Sequence, residues 1–246
     1  MMIQCRGMNE WHMPIPCINT SSNQCHFRDT YLNMSDLFQR NKQIAFIGNG
    51  ALAEQFKVFL GLKEKDYVVF DDSSVNEHAN AFPFEDYGKY AKDYVWVIAL
   101  GYLHLQRKYR IYQELKKLGG QFLAFAHPSS FQSPLSCLDT GVFIYPLCNI
   151  DMRASIGAQS LLNNSVVVSH DATIGDACFL SPGVVISGNV SIGKCTFIGA
   201  GSVVSNNVNI GENVVIGSHT SVTKDIPSNS FVIGNPMRIV NKIELR

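Results

Sequence analysis

The chain has no apolar run near the ~20 residues needed to cross a bilayer, so no membrane span is expected. Nor does either charge predominate. Twenty basic residues cancel twenty acidic ones, and only 16% of residues are charged. Nothing forms a basic face for a polyanion, which makes nucleic acid an unexpected partner. Among seven cysteines (Cys5, Cys17, Cys25, Cys137, Cys148, Cys178 and Cys195) there is no CxxC. Cys148, Cys178 and Cys195 read instead as buried small hydrophobes in a reducing compartment. The N-terminus has no basic start followed by an apolar stretch, so no secretory signal is visible and the cytoplasm is the expected location. Histidine is scarce where the chain is most regular. Between Ile144 and Val222 only His170 and His219 occur, too few for a metal site that needs three or more ligands. No metal is expected.

What that stretch does contain is a strict period of six. Stepping by six from Ile144 through Ile150, Ile156, Leu162, Val168, Ile174 and Leu180 to Ile216 and Val222 meets fourteen aliphatic residues in succession. The residue after each stop is usually Gly or Ser, as in Gly157, Gly175, Ser181, Ser187, Gly193, Gly199 and Gly217. The residue two before is small or β-branched, as in Ala154, Val166, Ala172, Val184 and Val190. A period of six fits neither an α-helix nor a single half-buried strand. It fits a β-helix of short strands, each sending one large aliphatic side chain to a central axis before a corner. With three hexads per triangular turn, fourteen hexads predict four to five turns, stacked about 4.8 Å apart. The small residues are expected to let the backbone turn at the corners.

The rest divides around this coil. Residues 1–41 show two prolines, an Asn/Ser-rich tract and no period. They read as an ordered extension, a flexible leader, or sequence upstream of a start at Met34. Residues 42–128 alternate strands and helices and predict a small parallel α/β domain. Its strands are Ile44 to Ile47, Tyr67 to Phe70, Val95 to Leu100 and Phe122 to Ala126. Its helices run through Leu60 and from about Leu103 to Leu118. Residues 129–246 hold a short Ser/Pro-rich linker, the coil and a basic tail. Ligands bind parallel sheets beyond the carboxyl ends of the strands, here Gly48 to Leu52, Asp71–Asp72 and Gly101. Gly48-x-Gly50-x-x-Ala53 is a variant of the dinucleotide fingerprint, with the acidic pair Asp71–Asp72 about twenty residues on. Such glycines let the backbone approach a phosphate at a helix N-terminus. A nucleotide-like ligand and a purely structural turn both fit. The strands and helices total about 85 residues, too few for a full two-halved dinucleotide fold, which counts against NAD.

His170 follows a run of small and β-branched residues and is followed at once by Asp171. A corner histidine with an adjacent carboxylate suits an oriented general base, and equally an exposed polar corner. The combination of features is more specific. A small Rossmann-like domain precedes Asn163, then His170–Asp171, Ile174-Gly175-Asp176, Pro182-Gly183, Ser187-Gly188-Asn189 and a closing Gly234-x-Pro236. Together these resemble the sialic-acid O-acetyltransferase and bacillosamine-pathway family, the NeuD- and PglD-like proteins, over about residues 43–240.

The resemblance implies a left-handed β-helix and acetylation of sugars by acetyl-CoA, in one branch on the 4-amino group of nucleotide-linked amino sugars. It also implies trimers that hold CoA between neighbouring coils. Carried over by position, His170 becomes the general base and Asp171 the carboxylate that raises its basicity. Asn163 falls where the sugar is touched. Gly50, Ala51, Leu52, Asp71, Asp72 and Gly101 fall on the nucleotide-sugar contacts, and Gly188, Ala200 and Ser218 on backbone contacts to acetyl-CoA. Where the family often has a second histidine near the thioester, this chain has Phe179. Any oxyanion stabilisation is then expected from backbone N–H groups such as that of Gly188. The leading expectation is a nucleotide-amino-sugar N-acetyltransferase working by direct transfer. The alternatives are a sugar O-acetyltransferase of the sialic acid type, a non-catalytic nucleotide-binding β-helical scaffold and an NAD enzyme.

Overall fold

The computed structural model describes residues 42–75 and 79–242; the expectations for residues 1–41 lie outside them. The first part is a five-stranded, wholly parallel sheet. Its strands are β1 (Ile44–Ile47), β2 (Tyr67–Phe70), β3 (Ala81–Phe82), β4 (Val95–Ile98) and β5 (Gln121–Phe122), in the order β3-β2-β1-β4-β5. Strand β1 is buried along its whole length and pairs with β2 on one side and β4 on the other. The chain therefore reverses its direction of winding at β1, and that switch point is where α/β sheets open a crevice. Helix α1 (Ala51–Leu60) starts directly after Gly50 and ends where Gly61 adopts φ 62°, its N–H capping the carbonyls of Lys57 and Val58. Helix α2 (Leu105–Lys117) follows one 3₁₀ turn at Tyr102–His104. No described helix is long and apolar enough to cross a membrane.

The remainder is a parallel β-helix. Two-residue strands recur every six residues and stack on the strand 18 residues further on, for example Val167–Val168 on Val185–Ile186. They build three faces. The first runs from Phe125–Ala126 through Phe143, Leu161, Phe179, Phe197 and Val215 to Ser230–Ile233, and is closed by an antiparallel strand, Arg238–Lys242. The second runs from Phe131–Gln132 to Ser221–Val222, and the third from Cys137–Leu138 to Asn209–Ile210.

Three expectations change here. The coil begins at Phe125 rather than Ile144 and has about six turns, not four to five. What reads as one strand, Phe122 to Ala126, is divided: Phe122 ends the α/β sheet and Phe125 opens the coil. Each hexad also buries two side chains rather than one. Ala154, Val166, Ala172, Cys178, Val184 and Val190 join the aliphatic stops in the axial core.

The glycines after the stops have a different reason from the expected one. The residues with positive φ at the corners are mostly not glycine: Arg153, Asp171, Asn189 and Asn207 stand at 58°, 60°, 58° and 62°. Gly175, Gly193 and Gly199 are needed because the next turn lies against them. A Cβ there would come within 2.7, 2.5 and 2.5 Å of the backbone nitrogens of Lys194, Glu212 and Ser218, closer than packed atoms approach. Polar residues at inner positions are satisfied within the stack. Ser160 Oγ donates to the Gly175 carbonyl at 2.8 Å and accepts from the Cys178 N–H at 3.0 Å.

The α/β sheet sits on the first face. Outward side chains there are mostly aromatic, and Phe56 of α1 stacks on Phe143 with ring centroids 4.0 Å apart. Phe59 packs on Phe125 and Tyr145. Leu105 of α2 packs with Ala177 and Cys195 at the corner between the third and first faces, where Gln106 also donates to Asn213 at 2.8 Å.

Candidate active site

His170 and Asp171 lie on the corner between the second and third faces, which is the corner that does not border the first. Asp171 takes the left-handed conformation that turns the chain, and its N–H donates to the Met152 carbonyl one turn below, at 3.1 Å. This places the Asp171 carboxylate beside the His170 ring, with Nδ1 and Oδ2 2.8 Å apart. A carboxylate only accepts, so Nδ1 carries a proton, and in the neutral ring the lone pair is then on Nε2. The ring lies on Gly188 of the next turn, where a Cβ would stand 2.7 Å from its Cε1 and Nε2 atoms.

Sequence reasoning missed the third member of this group. Arg153, 18 residues before Asp171 on the same corner, donates from Nε to Oδ1 at 2.6 Å and from Nη2 to Oδ2 at 2.9 Å. The Arg153 guanidinium, with the His170 ring second, holds the Asp171 carboxyl well below the usual carboxylate range. The signal was available: in a coil of 18 residues per turn, stepping back by 18 from any corner residue finds its neighbour. The same step forward from Gly188 finds Asn206, whose Oδ1 accepts the Gly188 N–H at 3.0 Å. That corrects one expectation, because the Gly188 N–H is engaged and is not a free donor for an oxyanion.

The other candidates fall elsewhere. His219 packs its ring on Gly201 at the corner between the first and second faces. Ala200 and Ser218 occupy that corner too, with the Ala200 carbonyl accepting the His219 N–H at 2.8 Å. Asn163 stands at the same corner two turns lower, one corner away from His170 in its own turn, and its Oδ1 holds the Asn164 N–H at 2.8 Å. Phe179 points outward from the first face and packs with Phe197 and Tyr102, at centroid distances of 5.9 Å to each.

Cys148, Cys178 and Cys195 are buried, and burial pushes the Cys178 thiol up to about 12 and that of Cys195 up to about 11. Neither is a thiolate nucleophile near neutral pH. Among the described residues no three His, Cys, Asp or Glu side chains are grouped to hold a metal.

At the crevice of the α/β sheet, Gly48 has φ 89° and its N–H donates to the Phe70 carbonyl at 3.1 Å. A Cβ on Gly50 or on Gly101 would meet no described residue within 4 Å, so among the described residues both glycines border open space. Gly50, Ala51 and Leu52 begin α1, where backbone N–H groups point out of the helix end. The acidic pair is split in role. Asp71 accepts the Asn49 N–H on one oxygen, at 3.1 Å, and the N–H and hydroxyl of Ser73 on the other, so both oxygens organise the loop. Asp72 is exposed and uses one oxygen on the Phe84 N–H at 2.8 Å. A partly buried chain supports this rim: Lys57 Nζ donates to Asn49 Oδ1 at 2.7 Å, and Asn49 Nδ2 to Ser74 Oγ at 2.9 Å. The crevice belongs to the part packed on the first face, and His170 stands on the corner opposite. One chain does not bring them together.

Residues 189–224 match the family model described as bacterial transferase hexapeptide (six repeats). No curated protein sequence matches the chain. Among solved structures, the fold is similar to perosamine N-acetyltransferase from Caulobacter crescentus, solved with a histidine replaced by asparagine and with CoA and GDP-perosamine bound. Identity is 23%, coverage 81% of this chain and 97% of that one, and the TM-score 0.72. The acetyltransferase domain of PglB from Neisseria gonorrhoeae, in complex with acetyl coenzyme A, is 22% identical over 81% of this chain and 99% of its own, with a TM-score of 0.71. WeeI from Acinetobacter baumannii is 24% identical over 81% and 100%, with a TM-score of 0.67. The chain shares their two-part fold.

Proposed function

We propose that the protein is an acetyl-CoA-dependent N-acetyltransferase that acylates the amino group of a nucleotide-linked amino sugar. The observation that carries this reading is His170, held on a coil corner through Nδ1 by Asp171 with its side chain about half exposed, within a fold shared with acetyltransferases crystallised with CoA and a nucleotide sugar. In the proposed reaction the sugar amine attacks the thioester carbon of acetyl-CoA while His170 Nε2 takes the amine's proton. The tetrahedral adduct expels the CoA thiolate, and the imidazolium returns the proton to it. The buried cysteines, with their raised thiols, favour direct transfer over an acyl-enzyme.

The nucleotide is assigned to the crevice at Gly50, Ala51, Leu52, Asp72 and Gly101, where two glycines leave open space. Asp71 supports it by holding the loop. Acetyl-CoA is assigned to the coil near Gly188, Ala200 and Ser218, with Asn163 and Phe179 as further contacts. Since crevice and base lie on opposite sides of one chain, a neighbouring chain supplies one of them, as a three-fold assembly would. The second face supports such an assembly. Val167, Val185 and Val203 stack in register on its outer surface, the first two half-buried and Val203 exposed, with Phe131 exposed at its start. The third face presents Thr173, Ser191 and Asn209 instead. Sedimentation as a stable monomer at micromolar concentration would sink the shared site.

The decisive assay offers UDP-, dTDP- and GDP-linked 4-amino sugars with acetyl-CoA and detects free thiol. His170→Ala is expected to lower kcat by about 10²–10⁴-fold, the contribution of a positioned general base, with little change in KM for acetyl-CoA. Wild-type turnover in that variant would remove the mechanism. Transfer to sugar hydroxyls alone would favour the O-acetyltransferase reading, and no transfer with tight nucleotide binding would favour the scaffold.

A further inference from the structure

An exposed Arg–Asp pair on a protein surface ordinarily contributes little, because water screens it and two side chains must be ordered to make it. The pair on the His170 corner differs in geometry. Arg153 meets Asp171 with both prongs of its guanidinium, at 2.6 and 2.9 Å, and Oδ2 of that carboxylate also receives the His170 ring nitrogen at 2.8 Å. The arginine is itself held. Its Nη1 donates to Met152 Sδ at 3.3 Å, and Asp151 adds a second favourable charge beside it. All five residues belong to two adjacent turns of one corner, stacked at a fixed register. A carboxylate on a short side chain rotates freely about its Cβ–Cγ bond unless something holds its plane, and the fork geometry of arginine holds a plane where a lysine holds only a point.

We propose that Arg153 is a positioning residue for the transfer reaction: it locks the plane of the Asp171 carboxylate so that Oδ2 faces His170 Nδ1, which keeps the proton on Nδ1 and the lone pair on Nε2. Arg153 touches neither substrate in this role; it acts through Asp171. The inference rests on His170 being the base, so its test includes a readout that needs no substrate.

The groups facing the His170 ring are Asp171 and Arg153 from its own corner and Gly188 from the turn above, with Asn206 Oδ1 on the Gly188 N–H behind it. In wild-type protein with the ring neutral, ¹⁵N shifts of the His170 nitrogens should report one tautomer, protonated at Nδ1. In Arg153→Met the ring should populate both tautomers, and kcat should fall about tenfold, a part of what the base supplies, with KM for acetyl-CoA and for the sugar nucleotide unchanged. Arg153→Lys keeps the charge but loses the fork, and should recover little of either. Arg153→Met with a single Nδ1–H tautomer and wild-type kcat overturns the proposal, and so does full recovery in Arg153→Lys, which would reduce the role to charge. If the wild-type protein acetylates no amino sugar, the acetyltransferase reading fails, yet the tautomer comparison still decides what Arg153 does to the ring.

Discussion

Glycine serves opposite ends in the two parts of this molecule. In the coil, Gly175, Gly193 and Gly199 are glycine because the next turn of the same chain occupies the space a Cβ would need. At the crevice of the α/β sheet, Gly50 and Gly101 are glycine although no described residue occupies that space. The space at these three coil glycines is thus filled from within, and they belong to stability. A crevice glycine is left open and fits the approach of a ligand backbone or phosphate. Gly188 stands between the two cases, because what lies over it is the imidazole of His170 rather than backbone.

The strongest way to break this comparison is Gly193→Ala. Its Cβ would meet the Glu212 and Gly211 backbone at 2.5–2.6 Å, and backbone locked in a parallel stack has little room to shift. We expect a loss of about 1–3 kcal/mol or more from overpacking, read as a lower melting temperature; an unchanged Tm would show that the turns separate easily. Gly188→Ala should fall on the catalytic side. The imidazole can swing away from a new methyl group, so Tm should change little while kcat falls about tenfold through misplacement of the base. A loss of stability equal to that of Gly193→Ala would place Gly188 with the structural glycines.

The acidic pair gives a finer contrast. Asp71→Ala removes three hydrogen bonds that shape the loop and should cost about 1 kcal/mol or more of stability. Asp72→Ala should leave Tm near wild type and raise KM for the nucleotide sugar without raising KM for acetyl-CoA. Equal effects in the two variants would mean that the pair acts as one unit. The smallest effect is expected for Gly50→Ala: no change in Tm, and a modest rise in KM for the nucleotide sugar alone. A fall in Tm would show that the open space at Gly50 is not reserved for a ligand.

The period of six, its aliphatic stops and the preceding α/β alternation were legible in the chain because each follows from local repetition. A hexad needs only its own residues to state which side chains face the axis. The adjacency of His170 and Asp171 was legible for the same reason. The start of the coil at Phe125 was not. Its first rungs carry Gln132 and Ala126 at the stops in place of large aliphatics, so the pattern fades although the hydrogen-bonded stacking continues. The covering of the first face by α1 and α2 was likewise hidden, since an aromatic such as Phe143 or Phe179 on an outer position does not name its partner.

By itself, then, the sequence determined the coil, the aliphatic residues of its axial core, and the residue types at the His170 corner and at the glycine-lined crevice. The tertiary structure alone decided which of them meet. Stacking at 18 residues brought Arg153 to Asp171 and Asn206 to Gly188; the period names such neighbours, but only the folded corner decided that their polar groups bond. Packing of the α/β sheet on one face of a three-sided coil set the crevice opposite the histidine. Which residues are neighbours there depends on where whole faces are buried, and that follows from the sum of many apolar contacts rather than from any one motif.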